Sequence, residues 1–486
     1  MKSGIPKDIL IVTSLTALAI LVHGYHFAIE DAAIYFASIK KSMDPSLYPF
    51  NSEFFLSQTG PMLFDVAVAR LAAIMPFSLK WTALLLHVTS LFLVIYGCLA
   101  LSRRVFVDRA AQWSAIILVT AVLTIPVSGT RLYLVDQYLH PRTFATALTL
   151  FAAAGVLRGK ILLPALLMVL CAPIHPQMTA YSVFFLLFLG VRQPAFTPQV
   201  SMAVALPFAD LLDPAPPAWQ EAMKTRTHHF LRNWTWYEWI GIVAPLLMLA
   251  LFAEIGKRNP NPRVEHITRR TIAFSVFFFI LAAAVSQSPE LVRFATFQPM
   301  RSLLMVYLIM FLIGGGLLGQ YVLKNHPVRW ILFFVPVCIV MFAAQQPLFE
   351  GSKHIEIPGA VHYNKWVDAF EWARDHTPKD AIFALDPYYM LRDGQDHHGF
   401  RAYSERSMVA DRMKDSGVSS LFPKISTTWL DQVRDLDGWE SFTEADFSRL
   451  AKKYGVSWVV LERTHPAAGS LDCPYRNEAV CVCKVK

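Results

Sequence analysis

Long, almost unbroken runs of apolar residues fill the chain as far as Gln346, and beyond Pro347 they stop. A membrane span needs roughly 20 mostly apolar residues. The runs place eleven candidate spans, at about 8–27, 79–101, 110–127, 143–157, 161–173, 178–191, 198–212, 239–256, 271–288, 302–322 and 330–346. Several of the middle ones are short, which suits tilted, broken or re-entrant helices. After residue 347 the periodicity changes to that of a soluble domain. Asn364 to His376 reads as an amphipathic helix, and Ala381 to Leu385 as a short buried strand. Phe442 to Tyr454 reads as a helix capped by Thr443, with Asp446 at its third position and Gly455 as its stop. Ser457–Leu461 and Ala479–Val485 read as strands. Helix–strand alternation predicts a small α/β domain. The expected architecture is therefore an α-helical polytopic membrane protein of about eleven transmembrane helices, residues 1–347, with a long first outer loop, 28–78. A C-terminal soluble α/β domain, 348–486, follows.

Composition supports the division. Hydrophobic residues make up 55% of the chain and charged ones 16%, with a mean hydropathy of +0.40, where soluble domains carry about 25% charged residues. Residues 1–347 hold 26 Lys/Arg against 15 Asp/Glu, and residues 348–486 hold 18 against 21. The basic balance thus belongs to the membrane part, and no basic, aromatic-interleaved patch points to nucleic acid. The run Ile9–Val22 follows Lys2 and Lys7 as in a signal peptide, but no small-residue cleavage site follows it, so it reads as a retained first helix. With the N-terminus in the cytoplasm, the loops 102–109, 158–160, 191–193, 256–270 and 323–329 together with the N-terminus gather 15 of those 26 Lys/Arg. This is the positive-inside pattern, and eleven spans then put the C-terminal domain outside. Cys98, Cys171 and Cys338 lie in apolar runs. Cys473, Cys481 and Cys483 cluster near the end, where a disulfide among them suits an oxidising compartment and the spacing suits zinc poorly.

This topology sends the chemically interesting side chains to one face. At the outer end of the first span stand Glu30 and Asp31, and ionisable groups at membrane depth are functional candidates by default; acids simply solvated past the helix end are the bland alternative. Ala32–Ser42 and Phe64–Ile74 read as amphipathic helices lying in the interface plane. Asp136, His140 and Arg142 precede the fourth span, with Pro141 suited to a helix start; a capping motif explains them equally well. His175 sits between two prolines in a tight turn. Arg226, His228, His229 and Arg232 mix with Trp234, Trp236, Tyr237 and Trp239, an anion site or an interfacial belt. Arg293 and Arg301 precede the tenth span, and arginine pairs bidentately with phosphate; snorkelling to the interface is the alternative. No nucleophile elbow, P-loop, HExxH or dinucleotide fingerprint occurs.

A first outer loop that opens on an acid directly after the first span and continues into two interfacial helices resembles the GT-C class. These are multi-spanning glycosyltransferases using polyprenyl-phosphate-linked sugars, among them protein O-mannosyltransferases, the oligosaccharyltransferase catalytic subunit and lipid A aminoarabinose transferases. The soluble tail resembles those of bacterial GT-C proteins. The resemblance implies an inverting transferase of the cell envelope, in a bacterial inner (cytoplasmic) membrane with its C-terminal domain periplasmic. It implies a polyprenyl-phosphate sugar donor, a glycan, lipid or protein acceptor and contact with membrane lipid. Asp31, then Glu30, take the place of the catalytic base. Arg301 takes that of the lipid-phosphate reader, helped by Arg293, His228, His229, Arg142, His140 and His175. The class leaves room for a divalent metal, Mg or Mn, on Asp31 and Asp136; no DxD or ExD pair stands beside Asp136, which counts against one. The segment Phe400–Asp411 is expected to be a loop facing this site. A lipid or polysaccharide transporter would instead show internal repeats and polar span centres, which are not seen. A non-catalytic scaffold with a partner-binding outer domain is the other alternative.

Overall fold

The computed structural model describes residues 5–190, 216–259, 261–287, 292–360 and 364–485. It divides into two compact units: Met1–Gly24, Leu85–Leu212 and His228–Gln345 form the first; Tyr25–Leu84, Asp213–Thr227 and Gln346–Lys486 form the second.

The first unit is helical, apart from one short pairing of Pro126–Val127 with Leu132–Tyr133. Five helices, counted over the described residues of the whole chain, are long and apolar enough to cross a membrane: Leu79–Val105, Trp236–Arg258, Pro262–Ser286, Val292–Leu323 and Pro327–Leu348. The expected count of eleven is not reproduced as eleven such helices. The runs around 110, 143, 161 and 178 fold as shorter helices, Arg109–Ala121, Pro141–Val156, Leu162–Cys171 and Pro176–Gly190. The candidate at 198–212 lies outside the described residues. The first span is the helix Ile5–His23. At its start Asp8 pairs with Arg103 at 2.7 Å, beside the end of Leu79–Val105. At its finish the His23 ring meets Thr124 Oγ1 at 2.7 Å and the Thr120 carbonyl at 2.8 Å. Arg263 and Asn261 reach the Arg104 and Val105 carbonyls at 2.9 and 3.2 Å, so short basic connections converge at one end of the bundle.

Close helix packing in this unit depends on small residues. The helix Leu303–Leu318 lies against Arg109–Ala121, and a Cβ at Gly315 would stand 2.8 Å from the Ser114 carbonyl oxygen and 2.9 Å from Leu118 Cβ. Gly315 and Gly319 are four apart on the same stripe, the spacing that lets apolar helices approach where no hydrophobic effect drives them together. Leu247, Leu251, Ile331, Leu332, Ile339 and Val340 remain exposed, as lipid-facing positions should.

The second unit contains a five-stranded sheet in the order Ser407–Met408, Ile382–Ala384, Val456–Glu462, Val480–Lys484, Tyr475–Arg476. The first three strands run parallel and the last two pair antiparallel. Local sequence explains its helices. Asn364 caps Lys365–His376 by accepting the amides of Trp366 and Val367 at 3.0 and 3.1 Å. Thr443 and Asp446 form a capping box on Glu444–Tyr454, and Gly455 ends it at φ +74°. Cys473 and Cys483 form a disulfide, and Cys481 is a buried free thiol.

The first loop folds into this second unit, with the C-terminal residues. Its helix Ala32–Met43 buries Ala32 through Ile39 without a break, so it is an internal helix and not one lying in an interface plane. Its alternation of Ala with Ile, Tyr and Phe serves neighbours on all sides. Phe64–Ile74 forms as expected, with Leu63, Val66, Ile74 and Phe77 exposed around it.

Candidate functional site

Glu30 and Asp31 stand at the start of the helix Ala32–Met43, in a loop bent by two non-glycine residues in the left-handed region, Ala28 at φ 52° and Glu30 at φ 50°. Each such residue costs on the order of 1 kcal/mol and persists where its surroundings over-determine it. The facing segment has the same bend, with Asp396 at φ 55° and His397 at φ 61°. The two lock together: the Glu30 amide donates to the His397 carbonyl at 3.0 Å and the Gly399 amide to the Ala28 carbonyl at 3.1 Å. Tyr403 donates to the Phe27 carbonyl at 2.8 Å.

Below the acids lies a buried clasp. Glu356 Oε1 accepts from His26 Nδ1 at 3.2 Å and His398 Nε2 at 3.0 Å, and its Oε2 accepts the Phe27 amide at 2.9 Å. His398 Nδ1 faces the Gln395 carbonyl at 2.8 Å. Both nitrogens of His398 thus face acceptors, which favours the imidazolium. Burial pulls His398 down, but Glu356 overrides it and holds the imidazole above its usual value; burial pushes Glu356 up, but the two histidines hold it far below the carboxylate range. The signs follow. Glu356 contributes stability above about pH 4.3 that is lost only on strong acidification, whereas the His398 contribution is complete below about pH 6.5 and disappears as pH rises through its folded value. The unfolding temperature is expected to fall as pH rises above about 6.5, and His398→Gln to flatten that fall. Identical slopes in the wild type and the variant would remove His398 as the cause.

The acids meet one cation. Lys414 Nζ bonds to Glu30 Oε2 and, at 3.1 Å, to Asp31 Oδ1. His397 Nδ1 lies 3.3 Å from the other Glu30 oxygen. Glu30 is 38% exposed, Asp31 34% and Lys414 15%, so the group is open on one side. Burial pushes Glu30 up, but Lys414 and then His397 bring it below its ordinary value. Burial pulls Lys414 down, but Glu30 and Asp31 raise it above the usual lysine range.

Lys414 is held by the turn before the helix Asp415–Leu421. Asp411 Oδ1 accepts the amides of Met413, Lys414 and Asp415 at 2.8, 2.6 and 3.1 Å. Asp415 is gripped through both oxygens by Arg401, at 2.8 and 2.9 Å, in a buried pair. Trp429 Nε1 donates to the Asp411 carbonyl at 2.8 Å. Arg226 donates to the Met413 carbonyl and to Ser416 Oγ. Burial and the neighbouring Asp415 push the Asp411 carboxyl up to about 6. The segment Phe400–Asp411 does meet the acids' loop, though as the helix Phe400–Ser404 and the strand Ser407–Met408 and not as a loop.

The remaining predicted residues lie in the helical unit. Asp136 pairs with Arg142 Nη2 through both oxygens at 2.7 and 2.6 Å, buried. His140 caps the helix Pro141–Val156 by accepting the Arg142 amide at 2.9 Å, so capping and ion pairing occur together. The His140 ring stacks on His175, with centroids 5.8 Å apart, and His175 Nδ1 accepts the Met178 amide at 3.3 Å. Two residues after His175, Gln177 Oε1 lies 3.4 Å from Arg301 Nη1. Asp136, Arg142, His140 and His175 thus form a chain of contacts, and Arg301 reaches the neighbouring Gln177. Arg293 lies in the short 3-10 turn Val292–Phe297, and His228 and His229 in Thr227–His229 with their rings 4.6 Å apart. Trp236, Tyr237 and Trp239 are exposed as a belt requires, while Trp234 is buried and donates to the His228 carbonyl at 3.0 Å.

Lys414, His397, Glu356, His398 and Arg401 are absent from the sequence candidates. Asp396-His397-His398-Gly399 carries a turn signal and Asp411 through Asp415 is dense in charge, but no spacing rule links either to residues nearly 400 positions earlier.

A family model described as a domain of unknown function, DUF6798, matches residues 364–416. That span opens on Asn364 and contains His397, His398, Arg401, Asp411, Lys414 and Asp415. No curated protein matches the chain. Among solved structures, the Archaeoglobus fulgidus oligosaccharyltransferase tethered by a disulfide to an acceptor peptide with an NVT sequon is similar over 93% of this chain and 69% of its own, with a TM-score of 0.50 and 11% identity. The same enzyme in complex with Zn and sulfate is similar over 93% and 68%, with a TM-score of 0.39 and 12% identity. The chain is GT-C-like: a multi-pass helical membrane protein with a C-terminal sheet region, in the fold of a GT-C glycosyltransferase.

Proposed function

We propose that this protein is an inverting membrane glycosyltransferase that moves a sugar from a polyprenyl-phosphate donor to a hydroxyl acceptor (a glycan, lipid or protein) on the extracytoplasmic face of a bacterial inner membrane. The observation that carries the reading is the pair Glu30–Asp31, held in a strained and doubly bonded loop after the first span, partly exposed and bonded to Lys414. Asp31 removes the acceptor's proton, the acceptor oxygen bonds to the anomeric carbon, and the bond from that carbon to the phosphate oxygen breaks. The lipid phosphate leaves with the electron pair. A single displacement of this kind inverts the carbon. Asp31 suits the base better than Glu30, which Lys414 and His397 flank and whose pKa is lowered. Within the helical unit, Arg301, with Arg293, His228 and His229, carries donors of the kind that bind phosphate.

The test replaces both acids, Glu30→Gln and Asp31→Asn, in the full chain in its native membrane. The variant is expected to keep its unfolding temperature within a few degrees and to abolish a sugar-modified envelope product seen with the wild type. An unchanged glycan profile in the folded double variant would end the enzyme reading.

A further inference from the structure

We infer that Lys414 is a tethered cation standing between Glu30 and Asp31 in place of a divalent metal, with its third N–H serving the phosphate oxygen of the donor, so that transfer needs no metal ion. This deepens the proposed function and rests on it.

The donor set around the acids fits an ammonium and not a divalent ion. An ammonium has three donors and no acceptor. One is spent on Glu30 Oε2 and one on Asp31 Oδ1 at 3.1 Å. The Lys414 side chain is 15% exposed and its two acid partners are about a third exposed, so the group is not sealed from an approaching ligand. To seat an ion between the two carboxylates, the ammonium would have to withdraw, and the residue has little freedom to do so. Its amide is fixed by Asp411 at 2.6 Å, the next residue by the buried Arg401–Asp415 pair, and the turn by Arg226 from the other side. Asp136, the other acid to which the resemblance assigns a metal, spends both oxygens on Arg142. Glu30, Asp31 and Lys414 together carry one net negative charge. That leaves one carboxylate's charge for the acceptor proton while the cation answers the charge that develops on the leaving phosphate, where a fixed donor acts most strongly. A divalent ion between the same two acids would neutralise both.

The experiment measures binding of farnesyl phosphate, a short prenyl monophosphate, to the purified full-length chain in detergent, and in parallel Mn2+ uptake by paramagnetic resonance. Wild type is expected to bind the probe equally in excess EDTA and in Mn2+, and to take up no Mn2+ that depends on Glu30. Lys414→Met is expected to bind at least about tenfold more weakly, the loss of one charge-assisted contact, and Lys414→Arg to retain part of the affinity. Because a bare acid pair can impair folding, the same loss is read in the double variant Glu30→Gln/Lys414→Met, which removes an acid with the cation. Inorganic phosphate at the probe's concentration should not displace it; displacement would overturn a lipid-linked donor as the source of the phosphate. Binding by wild type that requires metal, or that both Lys414 variants leave intact, overturns the inference alone. Failure of wild type to bind the probe at all overturns the donor reading beneath it.

Discussion

Asp31→Asn is expected to lower sugar transfer by about 10²–10⁴-fold, the usual contribution of a positioned general base, while Glu30→Gln lowers it only about tenfold, the scale of one charge-assisted contact. Both replacements keep shape and remove charge. Glu30 is flanked by Lys414 and His397 and its pKa is lowered, so it is a poor proton acceptor whose task is to hold the lysine. Asp31 meets the same Lys414 through a contact of 3.1 Å. The distinction appears in how kcat and KM divide. Asn at 31 should lower kcat with little change in KM, because a base acts only in the transition state. Gln at 30 should also raise KM, because it releases Lys414. Initial rates on a polyprenyl-phosphate sugar in detergent, or product per unit protein in membranes, provide the measurement. A larger loss from Glu30→Gln would exchange the two roles.

Arg401→Met is expected to destabilise the unit that contains it by about 3–5 kcal/mol, the cost of leaving a buried carboxylate without its partner. The Arg401 and Asp415 side chains are 9% and 1% exposed and joined by two parallel hydrogen bonds. Asp415 also accepts the Asp411 amide at 3.0 Å, so an unpaired Asp415 disturbs the turn that presents Lys414. Removing both charges with Arg401→Met/Asp415→Asn should cost markedly less than the single change, since no buried charge is then left alone. Thermal unfolding of the purified chain, followed by tryptophan fluorescence, reads both variants. A single variant within about 1 kcal/mol of wild type, the range of an exposed pair, would mean that the pair does not hold the turn.

The two predictions concern residues that were unequally visible beforehand. Glu30 and Asp31 stand out because a carboxylate beside a membrane span is costly and needs a reason. Arg401 lay within a segment expected to approach the site, but nothing in Phe400–Asp411 announces that its arginine is buried or that Asp415, beyond the segment's end, is its partner. Nothing in the run Asp411–Asp415 distinguishes Lys414 from its charged neighbours.

The sequence by itself determined the class of the molecule. Apolar runs, short basic connections, and the caps at Asn364, Thr443 and Gly455 are local or statistical signals that act wherever the chain lies; among the described residues the apolar runs are helical and the caps stand at helix ends. Only the tertiary structure decided which short runs became partial helices, that Ala32–Met43 is internal, and that Lys414 and His397 meet the acids. Those outcomes depend on contacts between residues more than 360 positions apart, for which period and propensity carry no information. The first loop's alternation of small and large apolar residues fits an interface plane and a protein interior alike, and the presence of the C-terminal residues against it settled the difference.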